Sequence, residues 1–301
     1  MTTGDRTLLY GLLGDPVAQS LSPFIMNRAF AIHDIDATYV AFGVAPDRLE
    51  TAVGGLWAMG ASGINVTYPF KEEILYSLDA ISTAAEIVQA VNTIVFTDDT
   101  IEGINTDATG VAVALERFAE VTAERRRVFI FGAGGSARAA AYGLLERGAE
   151  SVAFCARAPE RAEMTMERFG FAFPEQEVAL VPLSTRGDAA RRRRLLRAAD
   201  IVINATPVGM AGVAEGRILE QADWIRPEQI YFDFVYHPRH TPFLQAARAR
   251  RARTLDGLAL LVAQAAESFN VWTDHTFDVG EMAAAVEAFA NGAPPREQGV
   301  N

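Results

Sequence analysis

Lysine is nearly absent from this 301-residue chain, in which Lys71 stands alone against 26 arginines. Such a bias toward arginine indicates that lysine has been lost wherever a positive charge alone is needed. A lysine that persists marks a position where its own chemistry is worth examining, because an ammonium can give up a proton and a guanidinium cannot. Lys71 is therefore the first candidate functional residue.

Cysteine, histidine and long apolar runs are also scarce. The one cysteine, Cys155, excludes a disulfide framework and a thiolate metal cluster. The histidines at 33, 237, 240 and 275 lack the spacing of metal ligands, so we predict no metal site. No stretch approaches the roughly 18 apolar residues of a membrane helix, and the opening segment lacks the features of a secretory signal. We expect a cytoplasmic protein.

Positive charge is in deficit, since 27 basic residues against 38 acidic ones give a formal net charge of −11. This balance argues against general nucleic-acid binding and against attachment to an anionic membrane surface. Half of the residues are hydrophobic and 22% are charged, which is typical of a packed globular chain. We expect a small-molecule substrate, no nucleic-acid or membrane partner, and a monomer or homodimer.

Short β-rich apolar runs alternate with Ala-rich helical stretches, which is the pattern of βαβ units on a mostly parallel sheet. The first unit begins with LLYGLLG at 8–14. After a helix that follows Asp107, the apolar strand VFIFG at 128–132 begins a second α/β unit. Two apolar helices, over 258–273 and 279–290, end the pattern. The sequence therefore predicts a two-domain α/β protein.

A glycine-rich turn follows the strand VFIFG. Residues 132–136 read Gly-Ala-Gly-Gly-Ser ahead of an Ala-rich helix, and in this context glycines let the backbone approach a dinucleotide pyrophosphate. The next strand ends at Arg157, with Arg161 one turn later. A free ribose 2′-hydroxyl would favour an acid there, whereas a 2′-phosphate favours a cation. We predict NADP as the cofactor, with NAD as the second possibility.

Polar residues are arranged around the lone lysine. Asn65 and Thr67 are two apart in a predicted strand, so their side chains face the same side of the sheet. Lys71 follows the end of that strand, where α/β folds bind ligands. Asn92 and Asp107 lie at other predicted strand ends. One amine, one carboxylate and several amides and hydroxyls suit a small polyhydroxylated ligand.

Longer motifs follow in an order and spacing that resemble those of one enzyme family. They are SLSP at 20–23, NVTYPFK at 65–71, AVNT at 90–93, NTD at 105–107, GAGGSARA at 132–139, NATPVGM at 204–210, DFVYHPRHTPFL at 233–244 and DGLALLVAQAA at 256–266. Over about residues 11–285 the chain closely resembles the shikimate dehydrogenase family. The resemblance implies reversible reduction of 3-dehydroshikimate to shikimate by NADPH, a step of aromatic amino-acid biosynthesis.

The same resemblance implies a domain plan. It consists of a substrate-binding α/β domain over 1–107, a Rossmann dinucleotide-binding domain with a parallel sheet over 108–257, and C-terminal helices over 258–301 that pack back on the substrate domain.

Individual roles are implied in the same way. Lys71 would be the catalytic acid/base, with Asp107 beside it. The residues implied to bind the substrate are Ser20, Ser22, Asn65, Thr67, Asn92, Tyr236 and Gln264. Those implied to contact the cofactor are Gly132, Ala133, Gly134, Gly135, Ser136, Arg157, Arg161, Thr206, Phe234 and Gly257.

The chain departs from the family pattern in places. Ala156-Arg157-Ala158 replaces the usual Asn-Arg-Thr, which keeps the cation and loses two hydrogen-bonding side chains. Met26 and Tyr68 replace a histidine and an aliphatic residue common near the substrate. These differences leave open a quinate or quinate/shikimate dehydrogenase, NAD-linked or not. Also open are an unrelated two-domain Rossmann enzyme that shares only the glycine turn, and a non-catalytic relative that senses metabolite and cofactor.

Overall fold

Two six-stranded sheets organise the chain in the computed structural model, which describes residues 7–158, 162–183, 188–214, 216–219 and 221–292. The first sheet contains β1 (Leu8–Gly14), β2 (Ala37–Gly43), β3 (Gly63–Val66), β4 (Ala80–Ile81), β5 (Thr93–Phe96) and β6 (Ile101–Ile104), in the order β2-β1-β3-β5-β6-β4. Its helices are α1 (Ser22–Ile32), α2 (Leu49–Ala58) and α3 (Thr83–Val88). A 3₁₀ segment, Glu73–Ser77, follows Lys71.

The first sheet is mixed rather than parallel throughout. Strand β1 runs parallel to β2 and β3, as the βαβ pattern predicts, but β5 is antiparallel to both β3 and β6. Strands β5 and β6 are joined by a short turn at 97–100, where the Thr97 hydroxyl accepts a hydrogen bond from the backbone N–H of Thr100 at 3.0 Å. This turn returns the chain at once as a hairpin, so no crossover helix intervenes.

The second sheet is fully parallel. It contains β7 (Arg127–Phe131), β8 (Ser151–Ala156), β9 (Glu177–Pro182), β10 (Ile201–Asn204), β11 (Ile230–Asp233) and β12 (Arg253–Leu255), in the order β9-β8-β7-β10-β11-β12. The order reverses between β7 and β10, which is the dinucleotide-binding arrangement with a crevice at the reversal. The helices here are α5 (Gly135–Glu146), α6 (Glu163–Ala172), α7 (Ala189–Ala198) and α8 (Pro242–Ala249).

Three helices connect the two sheets: α4 (Thr106–Ala119), α9 (Gly257–Thr273) and α10 (Val279–Ala290). Val262 and Phe269 of α9 and Val286 of α10 are buried in one cluster with Tyr10 of β1 and Ile25 of α1. The C-terminal helices therefore complete the core of the first sheet. In the described ranges every helix is too short or too polar to span a bilayer.

Candidate active site

Lys71 and Asp107 form a close ion pair between the two sheets. Lys71 Nζ lies 2.6 Å from Asp107 Oδ2, with side chains 20% and 7% exposed. Asp107 lies in the first turn of α4, where the helix dipole stabilises a carboxylate. The backbone of Lys71 is fixed as well, because its carbonyl accepts a hydrogen bond from Val91 N–H at 2.8 Å. An ammonium that is partly reachable by solvent is thus held by a buried carboxylate.

Asn92 braces that pair from the neighbouring strand end. Its Nδ2 donates to Asp107 Oδ1 and to Thr106 Oγ1, both at 2.9 Å. Its Oδ1 accepts from Thr106 N–H at 2.7 Å. Gln264 of α9 lies beside it, with Oε1 3.4 Å from Asn92 Nδ2. A Cβ on Gly110 would lie 2.9 Å from the Gln264 backbone, so this glycine lets α4 and α9 approach closely enough to bring Gln264 to the site.

A buried polar network lies beneath Asn92. Asn65 Nδ2 lies within 3.1 Å of the Asn92 carbonyl, Thr93 Oγ1 and Ser268 Oγ. Asn65 Oδ1 accepts a hydrogen bond from the Tyr39 hydroxyl at 2.7 Å, and burial raises the pKa of Tyr39, which keeps that hydroxyl a donor. All the hydrogen-bonding groups of the Asn65 side chain are therefore used within the protein. Asn65 is therefore better placed to hold Asn92 in position than to contact a ligand directly.

A second polar group lies at the end of β1. Ser20 Oγ accepts from Ser22 N–H at 3.2 Å, and Ser22 is buried at the start of α1. Tyr236, from the loop after β11, hydrogen-bonds to Ser20 through its phenol, whose pKa is raised by burial. Thr67 lies against Gly14 at the end of β1, where its methyl group would collide with an added Cβ. Residues of both domains thus meet at these serines.

The glycine-rich turn has the shape that a dinucleotide site requires. Gly132 has φ +110, and a Cβ there would lie 3.2 Å from Thr206 Cγ2 and 3.3 Å from the Ala205 carbonyl. Gly134 caps α5 without a side chain, and the Gly135 N–H donates to a carboxylate oxygen of Glu72 at 3.1 Å. An anionic oxygen thus already occupies the helix N-terminus, as expected of a phosphate site.

Opposite this turn, Asp233 organises the loop that contains Thr206. Asn204 donates to Asp233 Oδ1 at 2.9 Å and accepts from the Thr206 hydroxyl at 2.7 Å. Thr241 donates to Asp233 Oδ2 at 2.5 Å. Burial raises the pKa of Asp233 to about 6, although the hydrogen bonds it accepts from Thr241, Val235 and Asn204 lower it. The loop is fixed by a fully buried carboxylate that sequence reasoning did not single out.

Five more of the predicted cofactor residues follow strands of the second sheet or lie at the glycine-rich turn. Arg157 is exposed at the end of β8, and Ala133 and Ser136 flank the glycine pair. Phe234 follows β11, and Gly257 packs so closely on its carbonyl that a Cβ would overlap it. Arg161 lies outside the described residues.

Met26 and Tyr68, the two positions near the substrate that depart from the family pattern, lie in different surroundings. Met26 is fully buried in the core shared by α1 and the C-terminal helices, so it stabilises that core rather than lining the site. Tyr68 is 68% exposed, between Thr67 and the strand-ending turn that leads to Lys71. Of the two, only Tyr68 remains a candidate for an altered substrate preference.

The sequence did not single out several residues that belong to the hydrogen-bond networks around the site. Thr93 and Thr106 lie inside the motifs AVNT and NTD, and Arg138 is a lone cation in an Ala-rich apolar helix, a pattern that signals a buried, partnered arginine. Tyr39 and Ser268 give no such signal, because a tyrosine in a strand and a serine in a helix are commonplace.

Comparison with known proteins agrees with this geometry. Two family models match the chain: the shikimate dehydrogenase substrate binding domain over residues 12–94 and the shikimate 5′-dehydrogenase C-terminal domain over residues 257–287. A shikimate dehydrogenase (NADP(+)) of Moorella thermoacetica is 42% identical over 277 residues, which cover 92% of this chain and 91% of that protein. The chain belongs to the shikimate dehydrogenase family. Membership excludes an unrelated Rossmann enzyme that shares only the glycine turn.

Solved structures related to this shikimate dehydrogenase family member include more than one activity. Shikimate 5-dehydrogenase from Thermus thermophilus, in complex with NADP(H) and shikimate, has a TM-score of 0.80 and 32% identity, with 93% of this chain and 98% of that chain covered. A quinate dehydrogenase from Corynebacterium glutamicum, in complex with NAD, has a TM-score of 0.81 and 28% identity, with coverage of 95% and 100%. The fold alone therefore does not separate shikimate from quinate.

Proposed function

We propose that the protein is an NADP(H)-dependent shikimate dehydrogenase, which interconverts 3-dehydroshikimate and shikimate. The observation that carries the proposal is the Lys71–Asp107 pair, 2.6 Å apart and braced by Asn92 beside the dinucleotide crevice. A relative of 42% identity that bears the name shikimate dehydrogenase (NADP(+)) supports it. The hydrogen-bonded Ser20 and Tyr236 add a second polar group at the end of β1.

The proposed substrate contacts divide by chemistry. Ser20, Ser22 and Tyr236 offer hydroxyls to the substrate carboxylate, a modest interaction because none is a cation. Thr67, Asn92 and Gln264 face the ring hydroxyls together with the Lys71–Asp107 pair. Asn65 acts through Asn92, because its own amide is fully hydrogen-bonded.

The proposed cofactor contacts rest on the crevice between β7 and β10. Gly132 and Gly135 allow the close backbone approach that a pyrophosphate needs. The N–H of Gly135 at the helix N-terminus already donates to a carboxylate oxygen. Thr206, Phe234 and Gly257 lie across from them. Arg157 is exposed where a ribose 2′-phosphate would lie, which supports NADP over NAD.

Reduction of the ring carbonyl requires one proton from the protein. NADPH, when bound, would supply a hydride to the ring carbonyl carbon. The Lys71 ammonium would donate the proton that turns the carbonyl oxygen into a hydroxyl. Asp107 holds the ammonium in place and stabilises its charge before transfer. The neutral amine then recovers a proton from solvent, to which the Lys71 side chain is partly exposed. In the reverse direction the amine accepts the proton of the hydroxyl.

A quinate-preferring enzyme is the second candidate. It is favoured by the exposed Tyr68 next to the site and by the loss of two polar side chains around Arg157. A cytoplasmic location and a monomeric or homodimeric state complete the proposal. Cys155 is buried and is the single cysteine of the chain, which is compatible with a reducing compartment.

Turnover separates an enzyme from a metabolite sensor. The purified protein is mixed with shikimate and NADP⁺, and absorbance at 340 nm is followed. We expect a steady rise proportional to protein concentration. If calorimetry detects binding of both compounds and absorbance stays flat, the protein senses the metabolite and cofactor without catalysis, and the proposal is wrong.

A further inference from the structure

An ion pair connects the segment after the candidate catalytic lysine with the glycine-rich turn. Glu72 Oε1 lies 2.8 Å from Arg138 Nη2 and accepts the hydrogen bond from Gly135 N–H at 3.1 Å. A Cβ added to Gly134 or to Gly135 would lie 3.9 Å from the same oxygen. The Glu72 carboxylate therefore lies directly on the N-terminus of α5.

Arg138 is fixed independently of this carboxylate. It is buried, and it donates through Nε to the Val88 carbonyl at 2.6 Å and through Nη2 to the Gln89 carbonyl at 3.1 Å. Its Nη1 donates to the Ala133 carbonyl at 3.1 Å. Glu72, in contrast, has a side chain that is 57% exposed. The arginine can stay in place while the glutamate side chain swings into solvent.

The helix N-terminus that holds Glu72 is also the proposed seat of the cofactor pyrophosphate. Two anions cannot share the same N–H groups, because each needs the donors and the positive end of the helix. We infer that the Glu72 carboxylate competes with the cofactor pyrophosphate for the N-terminus of α5 and must be displaced when the cofactor binds. The inference rests on the proposed function, since it takes the pyrophosphate to lie on α5.

Displacement has a consequence for affinity. Any fraction of the protein in which Glu72 occupies the helix end is unable to bind the cofactor, so the apparent Kd rises as that fraction grows. A partly exposed ion pair together with a helix-terminal charge amounts to about a two- to fivefold effect. Removal of the Glu72 charge should therefore tighten cofactor binding by this factor.

The test measures binding without turnover. The Kd of NADP⁺ is determined by isothermal titration calorimetry for wild type, Glu72→Gln and Glu73→Gln. Glu73 is the adjacent, exposed acid, so its variant matches the change in net charge. We expect Glu72→Gln alone to bind NADP⁺ about two- to fivefold more tightly. Binding of 2′-AMP, which lacks a pyrophosphate, should be the same in all three proteins.

Two results would overturn the inference. Equal tightening in both variants would indicate a long-range charge effect, and unchanged or weaker NADP⁺ binding in Glu72→Gln would show that the carboxylate does not compete. A wild-type protein that does not bind NADP⁺ would instead contradict the proposed function. The same comparison is then made with NAD⁺, whose pyrophosphate is identical, and the inference is judged on that result.

Discussion

Replacement of Lys71 by arginine separates positive charge from proton transfer at the candidate site. A guanidinium can still pair with Asp107, which lies 2.6 Å from the present ammonium, but it holds its proton too tightly to donate it. The loss should be that of general acid–base catalysis, about 10²–10⁴ in kcat. This corresponds to about 3–5 kcal/mol of activation free energy. Shikimate-dependent NADP⁺ reduction at 340 nm measures it.

Two controls make the result interpretable. The NADP⁺ Kd and the melting temperature of Lys71→Arg should match those of wild type, because the cofactor contacts lie elsewhere and the side chain is partly exposed. Because arginine is the larger side chain, Lys71→Ala serves as a second variant, and small primary amines added to it should restore part of the lost rate. A kcat for Lys71→Arg within about threefold of wild type would refute proton transfer by this residue.

Three further predictions concern charges around the site. Asp107→Asn should lower kcat, because the carboxylate no longer holds the ammonium in place; an unchanged kcat would refute the role of the pair. Asp233, with its pKa raised from 3.8 to about 6, binds more protons folded than unfolded, so wild type should lose up to about 3 kcal/mol of unfolding free energy relative to Asp233→Asn between about pH 4 and pH 6. Urea titrations at several pH values measure this, and a pH-independent difference contradicts it. Arg157→Ala should raise the KM for NADP⁺ at least about tenfold while leaving that for NAD⁺ nearly unchanged, and equal effects on both would remove Arg157 from 2′-phosphate recognition.

The sequence predicts those features that depend on local pattern. The strand β7, the glycine turn and α5 follow from an apolar run, a φ-permissive glycine and an Ala-rich stretch, and the structure has them in that order. The long-range pair between Lys71 and Asp107 was expected because strand ends of an α/β sheet converge on one edge and because the family resemblance implies it. Periodicity alone could not place β5, because the composition of a strand does not show that it runs antiparallel to both β3 and β6.

Some hydrogen bonds and ion pairs between distant segments could not be predicted from the local sequence pattern. Tyr39 and Ser268 are 229 positions apart, yet both hydrogen-bond to Asn65 beneath the site. Nothing in either local sequence indicates that partner, since the contact depends on how α9 packs back on the first sheet. The same is true of Glu72 and Arg138, which are 66 positions apart in the chain and form an ion pair.

The most direct test of the account is a comparison of kcat/KM for shikimate and quinate, each with NADP⁺ and with NAD⁺. The account predicts the highest value for shikimate with NADP⁺, because the site pairs one acid/base lysine with polar groups for the ring hydroxyls and a cation at the 2′-phosphate position. A higher value for quinate, or for NAD⁺ with either substrate, would contradict it.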